Sequence, residues 1–225
     1  PLLFHSCPWL RGTAQTTRHD IVLQELVAVA KELQIPCRVE PRPKDLLAPQ
    51  QQWESQLARS EQASQGQGHP AAPAQPGSRR KPDLHFIVAH HRVVEVLSDV
   101  AVAHPAAASY ASAASMHPLS AAKHSQSYKL SKYKDLVRAG QSEMMAFVME
   151  TFGAFGPQAN KLLQCFFKQG PGPGKDYGDD GITLQDARTQ LSFALQRGNA
   201  IVARKGVEML CAEYDLHVRR PHHVH

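Results

Sequence analysis

Apolar residues recur at helical spacing between Asp20 and Leu33, where Ile21, Leu23, Leu26, Val27, Ala30 and Leu33 share one face. Asp20 is the predicted N-cap, and Pro36 stops the pattern before a short strand over Cys37 to Glu40. The period changes at Asp83: Leu84, Phe86 and Val88 alternate with His85 and Ile87, which predicts a strand of about six residues. A second strand is expected over Val93 to Val102, across the turn-like His90-His91-Arg92, so the two read as an antiparallel hairpin. A connection rich in Pro and Ala follows, then a helix from about Leu119 to Ala139 ended by Gly140. Met144 to Glu150 reads as a strand. Pro157 opens a helix through Phe167 with Leu162, Leu163, Phe166 and Phe167 on its apolar face. A last helical segment spans Thr183 to about Glu213, with breaks expected at Gly198 and Gly206. The order α-β-β-β-α-β-α predicts an α/β (α+β) protein with a mixed sheet flanked by helices, not a simple βα alternation.

Composition divides the chain. Between Asp45 and Ser78, Gln, Ala, Ser, Gly and Pro dominate, and such a stretch buries too little apolar surface to offset its ordering entropy. Residues 46–78 are therefore expected to be a disordered insertion within a domain of residues 18–168. Residues 1–17 form an N-terminal segment, the Gly-, Pro- and Asp-rich 169–182 a linker, and 183–225 a helical segment with a basic tail. At 225 residues and 42% hydrophobic, the chain is long enough for one domain with a real core. Its formal charge of +5 and isoelectric point near 9.1 mildly favour a polyanionic partner. Cys7, Cys37, Cys165 and Cys211 show neither disulfide-framework nor CxxC spacing, and so read as reduced, mostly buried thiols of an intracellular protein. No apolar run reaches membrane-spanning length and no signal peptide is visible.

The candidate chemistry lies in acids and lysines. Hydrolysis of a phosphodiester needs carboxylates that hold a divalent cation, and a group that orients or deprotonates water. Lys81-Pro82-Asp83 supplies an acid at a strand mouth. The next strand supplies Glu95 and Asp99, which a hairpin can bring back to Asp83. The following helix offers Lys129 and Lys132 on one face, with Tyr133 directly after them. Taken singly, each has a plain structural reading: a turn, an edge-strand acid, a solvated lysine face.

Taken in order, the pieces resemble a known family. Arg18-His19-Asp20, Val39-Glu40-Pro41-Arg42, Arg80-Lys81-Pro82-Asp83-Leu84, Ser98-Asp99-Val100-Ala101-Val102, Lys129-Leu130-Ser131-Lys132-Tyr133 and Glu150-Thr151-Phe152-Gly153 follow one another over roughly residues 15–168. This succession resembles the restriction-like endonuclease domain of non-LTR retrotransposon reverse-transcriptase polyproteins, within the PD-(D/E)xK superfamily. The run Gln190 to Ala200 is similar to the tail of such polyproteins. The resemblance implies a restriction-endonuclease-like fold and a DNA endonuclease that uses Mg²⁺ or Mn²⁺, with Asp83 and Asp99 as metal-binding acids. Ala101 stands where the superfamily places its lysine, so Lys129 or Lys132 from the next helix takes that role, and Lys132 is preferred for its place beside Tyr133. Glu40 and His19 are auxiliary candidates, although a capping or packing role is the plainer reading of His19. Glu95 is either a second ligand or, preferably, an exposed partner for a basic neighbour. Lys129, Lys134 and Arg138 would track the DNA backbone. DNA is the expected partner, with RNA where the domain is part of a larger polyprotein, and an active enzyme would work in the nucleus. His5 with Cys7, and His222, His223 and His225, do not have the spacing of a zinc site. The alternative is a catalytically inactive transposon remnant that serves as a nucleic-acid-binding or interaction domain.

Overall fold

The computed structural model describes residues 13–40, 81–90, 92–140, 142–168 and 181–218. The elements run α1 (Thr13–Glu32), β1 (Cys37–Val39), β2 (Leu84–His90), β3 (Arg92–Ala103), α2 (Ala111–Met116), α3 (Ser120–Lys132), α4 (Lys134–Gly140), β4 (Glu143–Glu150), α5 (Pro157–Lys168) and α6 (Leu184–Val218). The four strands lie in one sheet in chain order, β1-β2-β3 antiparallel and β4 parallel to β3. The chain is thus a mixed α/β protein whose four-stranded mixed sheet is flanked by helices.

Strand alternation decides what each face carries. Leu84 pairs with Ser98 and Phe86 with Val96, while Val100 pairs with Phe147. Leu84, Phe86, Val88, Val96, Val100, Met145, Phe147 and Met149 therefore form one apolar face, packed with Val22, Leu26, Val29 and Ala30 of α1 and Leu162, Leu163 and Phe166 of α5. Phe86 and Phe166 meet edge to face at 4.9 Å between ring centres. Truncating either ring to Ala should cost about 3–5 kcal/mol. On the opposite face, Ala121 and Ala122 of α3 lie against Ala103, Ala146 and Val148, and Tyr133 packs on Leu97 and Met144. The outer edge of β4 is not left open to pairing. Ala146 N–H donates to Gln158 Oε1 at 2.7 Å, and Gly156 N–H donates to the Val148 carbonyl at 2.8 Å.

Several boundaries differ from expectation. Helix α1 begins at Thr13, so Asp20 lies inside it rather than capping it. Its other end follows the expected stop: Gln34 adopts φ 56°, and Ile35 N–H closes on the Ala30 carbonyl at 2.8 Å, just before Pro36. The single helix expected from Leu119 to Ala139 is two, α3 and α4, broken at Tyr133, whose ring turns inward and is fully buried. The connection before it holds the short helix α2.

Helix α6 runs unbroken through Gly198 and Gly206. It is no separate appendage, since Ala187, Leu191 and Leu195 enter the same core as α1. Thr183 caps it reciprocally with Asp186, whose backbone N–H donates to Thr183 Oγ1 at 3.1 Å while its carboxylate accepts from Thr183 N–H at 2.9 Å. The Thr183 hydroxyl also donates to that carboxylate at 2.6 Å, and this bond, with the one from the Thr183 amide, lowers the Asp186 pKa.

The expected insertion 46–78, most of the linker, the tail after Val218, and the His5/Cys7 and His222/His223/His225 groups lie outside the described residues. Cys211 is exposed, against the expectation of buried thiols, whereas burial raises the half-buried Cys37 thiol to about 11. Among the described residues no helix is long and apolar enough to cross a membrane.

Candidate active site

Asp83 stands just before β2, and the β2–β3 register, continued by one residue from Leu84↔Ser98, brings it opposite Asp99. Its Oδ2 accepts the Val100 backbone N–H at 2.7 Å, the amide that directly follows Asp99. That bond sets the Asp83 carboxylate on the rim of the sheet one peptide from Asp99. The Asp83 carbonyl accepts Glu40 N–H at 2.7 Å, which ties the end of β1 to the same rim.

Asp99 lies on the α3 side of β3, next to Leu97 in the alternation, and is only 2% exposed. A buried carboxylate is tolerated where its charge is matched and its lone pairs are filled. Here α3 and its C-cap supply both. Lys129 Nζ makes a close ion pair with Asp99 Oδ2, and the Tyr133 hydroxyl makes a close hydrogen bond with Oδ1. Lys132 Nζ is 3.8 Å from Oδ1 and donates to the Tyr133 oxygen at 2.7 Å. The phenol has one proton and a second acceptor in reach, the Lys81 carbonyl at 2.7 Å, so one hydroxyl joins the segment before Asp83 to Asp99. Burial, and then the Asp99 hydrogen bond and charge, raise the Tyr133 pKa far above its ordinary value, so the phenol keeps its proton.

His19 reaches the rim from α1. Its Nε2 lies 3.1 Å from Asp83 Oδ2 and its Nδ1 3.0 Å from Asp20 Oδ1. With a carboxylate at each ring nitrogen the imidazolium is favoured: the Asp83 hydrogen bond raises the pKa to about 8 against the opposing effect of burial. This replaces the capping role expected of His19, which lies mid-helix.

The other candidates separate. Glu40 meets Asp83 through its backbone, and its side chain is exposed. Glu95 shares a strand face with Asp99 but lies four residues away, about 13 Å along the strand. Its carboxylate accepts from Ser142 Oγ at 3.1 Å and sits 3.6 Å from His85 Nε2. Burial lowers the His85 pKa, with Glu95 pulling the other way. Lys129 is turned inward on Asp99 rather than outward along a DNA-facing stripe, whereas Lys134 is exposed. The Arg138 side chain lies outside the described residues. Both lysines reach the acid: Lys129 is in close contact with Oδ2, and Lys132, 3.8 Å from Oδ1, also donates to the tyrosine hydroxyl.

Tyr133, the Val100 amide and the Lys81 carbonyl were not predicted as parts of the site. Only Tyr133 left a signal in the sequence, its adjacency to Lys132. The other two are backbone groups that any residue supplies.

The donor chemistry suits a hard cation. One carboxylate stands just before β2 and the other on β3, at register positions opposite each other, and both are oxygen donors. Among the described residues no three His, Cys, Asp or Glu side chains group closely enough to hold a metal ion. An Mg²⁺ held by Asp83 and Asp99 would take its remaining oxygens from water and phosphate, its common habit.

No protein-family model matches the chain, and no curated protein matches it either.

Proposed function

We propose that this chain is a restriction-endonuclease-like DNA endonuclease domain of the non-LTR retrotransposon kind, dependent on Mg²⁺ or Mn²⁺. The carrying observation is the bond from the Val100 amide to Asp83 Oδ2, which sets that acid beside Asp99 while Lys129 pairs with Asp99 from the next helix. The order of elements, with an antiparallel β1-β2-β3 meander and β4 returning parallel through α3, accords with the fold that the sequence motifs imply. Bound between Asp83 and Asp99, the cation would polarise the scissile phosphate and lower the pKa of its water. Lys129 supplies an ammonium beside that phosphate. His19 holds Asp83 in place, and Lys134 offers backbone contact outside. The test is nicking of supercoiled plasmid. Asp83→Ala and Asp99→Ala should each abolish Mg²⁺-dependent nicking with an unchanged circular dichroism spectrum, and nicking retained by either would overturn the assignment.

A second reading, an inactive remnant that binds nucleic acid, is favoured by one observation. Asp99 already carries its own ammonium, and no third acid completes a metal cluster among the described residues. A wild-type chain that binds DNA but shows no saturable Mn²⁺ binding by calorimetry would decide for the remnant.

A further inference from the structure

Two ammonium groups and one buried carboxylate raise a problem of sorting. Were Lys129 and Lys132 both in direct contact with Asp99, the carboxylate would be over-neutralised, and a divalent cation would have to displace two contacting charges instead of one. The structure separates them. Lys129 takes Oδ2, whereas Lys132 stands 3.8 Å from Oδ1 and gives a 2.7 Å hydrogen bond to the Tyr133 hydroxyl that occupies that oxygen. The ammonium also lies 4.5 Å from the centre of the Tyr133 ring, within cation–π range. The tyrosine ring is fully buried against Leu97 and Met144, and its hydroxyl lies 2.7 Å from the Lys81 carbonyl, a second acceptor for the same proton.

We propose that Tyr133 is a positioning residue that sorts the two lysines: its hydroxyl occupies Asp99 Oδ1 and holds Lys132 at the longer ion-pair distance of 3.8 Å, so that only Lys129 is in direct contact with Asp99 and the acid stays competent for a divalent cation. This rests on the metal-dependent reading above and adds to it a role for the one neutral group in the cluster. Removal of the hydroxyl frees Oδ1, and Lys132, already 3.8 Å away, can close to direct hydrogen-bonded contact with it. Lys132 then becomes a competitor of the metal.

The sign of the Lys132 effect tests this. Tyr133→Phe keeps the ring and its packing, and should weaken Mn²⁺ binding, measured by titration calorimetry on the full chain, about tenfold. Lys132→Ala added to Tyr133→Phe should recover at least threefold of that loss, which no purely structural role for the tyrosine produces. The Mg²⁺ concentration for half-maximal nicking should move in parallel. Mn²⁺ affinity unchanged within twofold in Tyr133→Phe overturns the proposal, as does a double variant no better than the single one. A Tyr133→Phe chain without a cooperative thermal transition overturns it too, since the hydroxyl would then serve the fold. In those cases the wild type still binds Mn²⁺ and nicks, and the nuclease reading stands. A wild type without saturable Mn²⁺ binding removes both.

Discussion

His19 Nε2 lies 3.1 Å from Asp83 Oδ2, so a histidine from the first helix is bonded to an acid at the mouth of a strand more than sixty residues later. The same Asp83 oxygen also accepts the Val100 amide, and Asp20 holds the other ring nitrogen. The acid is thereby held by a backbone amide of β3 and by a side chain of α1.

A pH dependence follows from this bond. The folded-state pKa of His19 is raised from 6.5 to about 8, so the contribution is fully present below 6.5 and is lost as pH rises through about 8. It amounts to roughly 1–2 kcal/mol. Denaturant unfolding at pH 6 and pH 9 should show wild type losing that much more stability than His19→Gln across the interval. Equal losses in the two chains would mean that the imidazolium–Asp83 pair contributes nothing.

The lysines should be unequal. Lys129 is in close contact with Asp99 Oδ2, whereas Lys132 stands 3.8 Å from Oδ1 and bonds to the phenol. Lys129→Ala is expected to slow plasmid nicking by about 10²–10³, the range for loss of one charge-stabilising group at a reacting centre. Lys132→Ala should slow it by less than about tenfold. The reverse ranking, in single-turnover rates at saturating Mg²⁺, would return the role to Lys132.

Gly198 provides a test of the α1–α6 packing. A Cβ there would lie 2.7 Å from Arg18 Cγ and 3.0 Å from Arg18 Cα. One of these is backbone, and Arg18 is itself held by Asn199 Oδ1 at 3.3 Å, so the helices must separate. Gly198→Ala should destabilise by about 1–3 kcal/mol, although the same change in an exposed helix stabilises by about 1 kcal/mol. Chemical denaturation gives the sign directly.

The periodicities that a strand or an amphipathic helix must show were readable without coordinates. The alternation of Leu84, Phe86 and Val88 and the apolar face of Leu162, Leu163 and Phe166 are local consequences of burying one side of an element. The spacing of Asp83 and Asp99 around a hairpin was readable for the same reason. The start of α1 was not, because Thr13 to Thr17 carry no apolar stripe; those turns are continuous with a helix stabilised by its later residues. Nor was the continuity of α6, because the intrinsic penalty of glycine in a helix is outweighed where its missing side chain lets Arg18 approach.

What the chain determined by itself was the kind and order of its elements and which acids could meet. The tertiary structure alone decided which lysine is in close contact with Asp99, that a tyrosine hydroxyl bonds both the other lysine and that acid, and that His19 serves Asp83. These depend on the break at Tyr133 and on how α1 lies over the sheet. Both are set by packing between segments far apart in sequence, which no local pattern encodes.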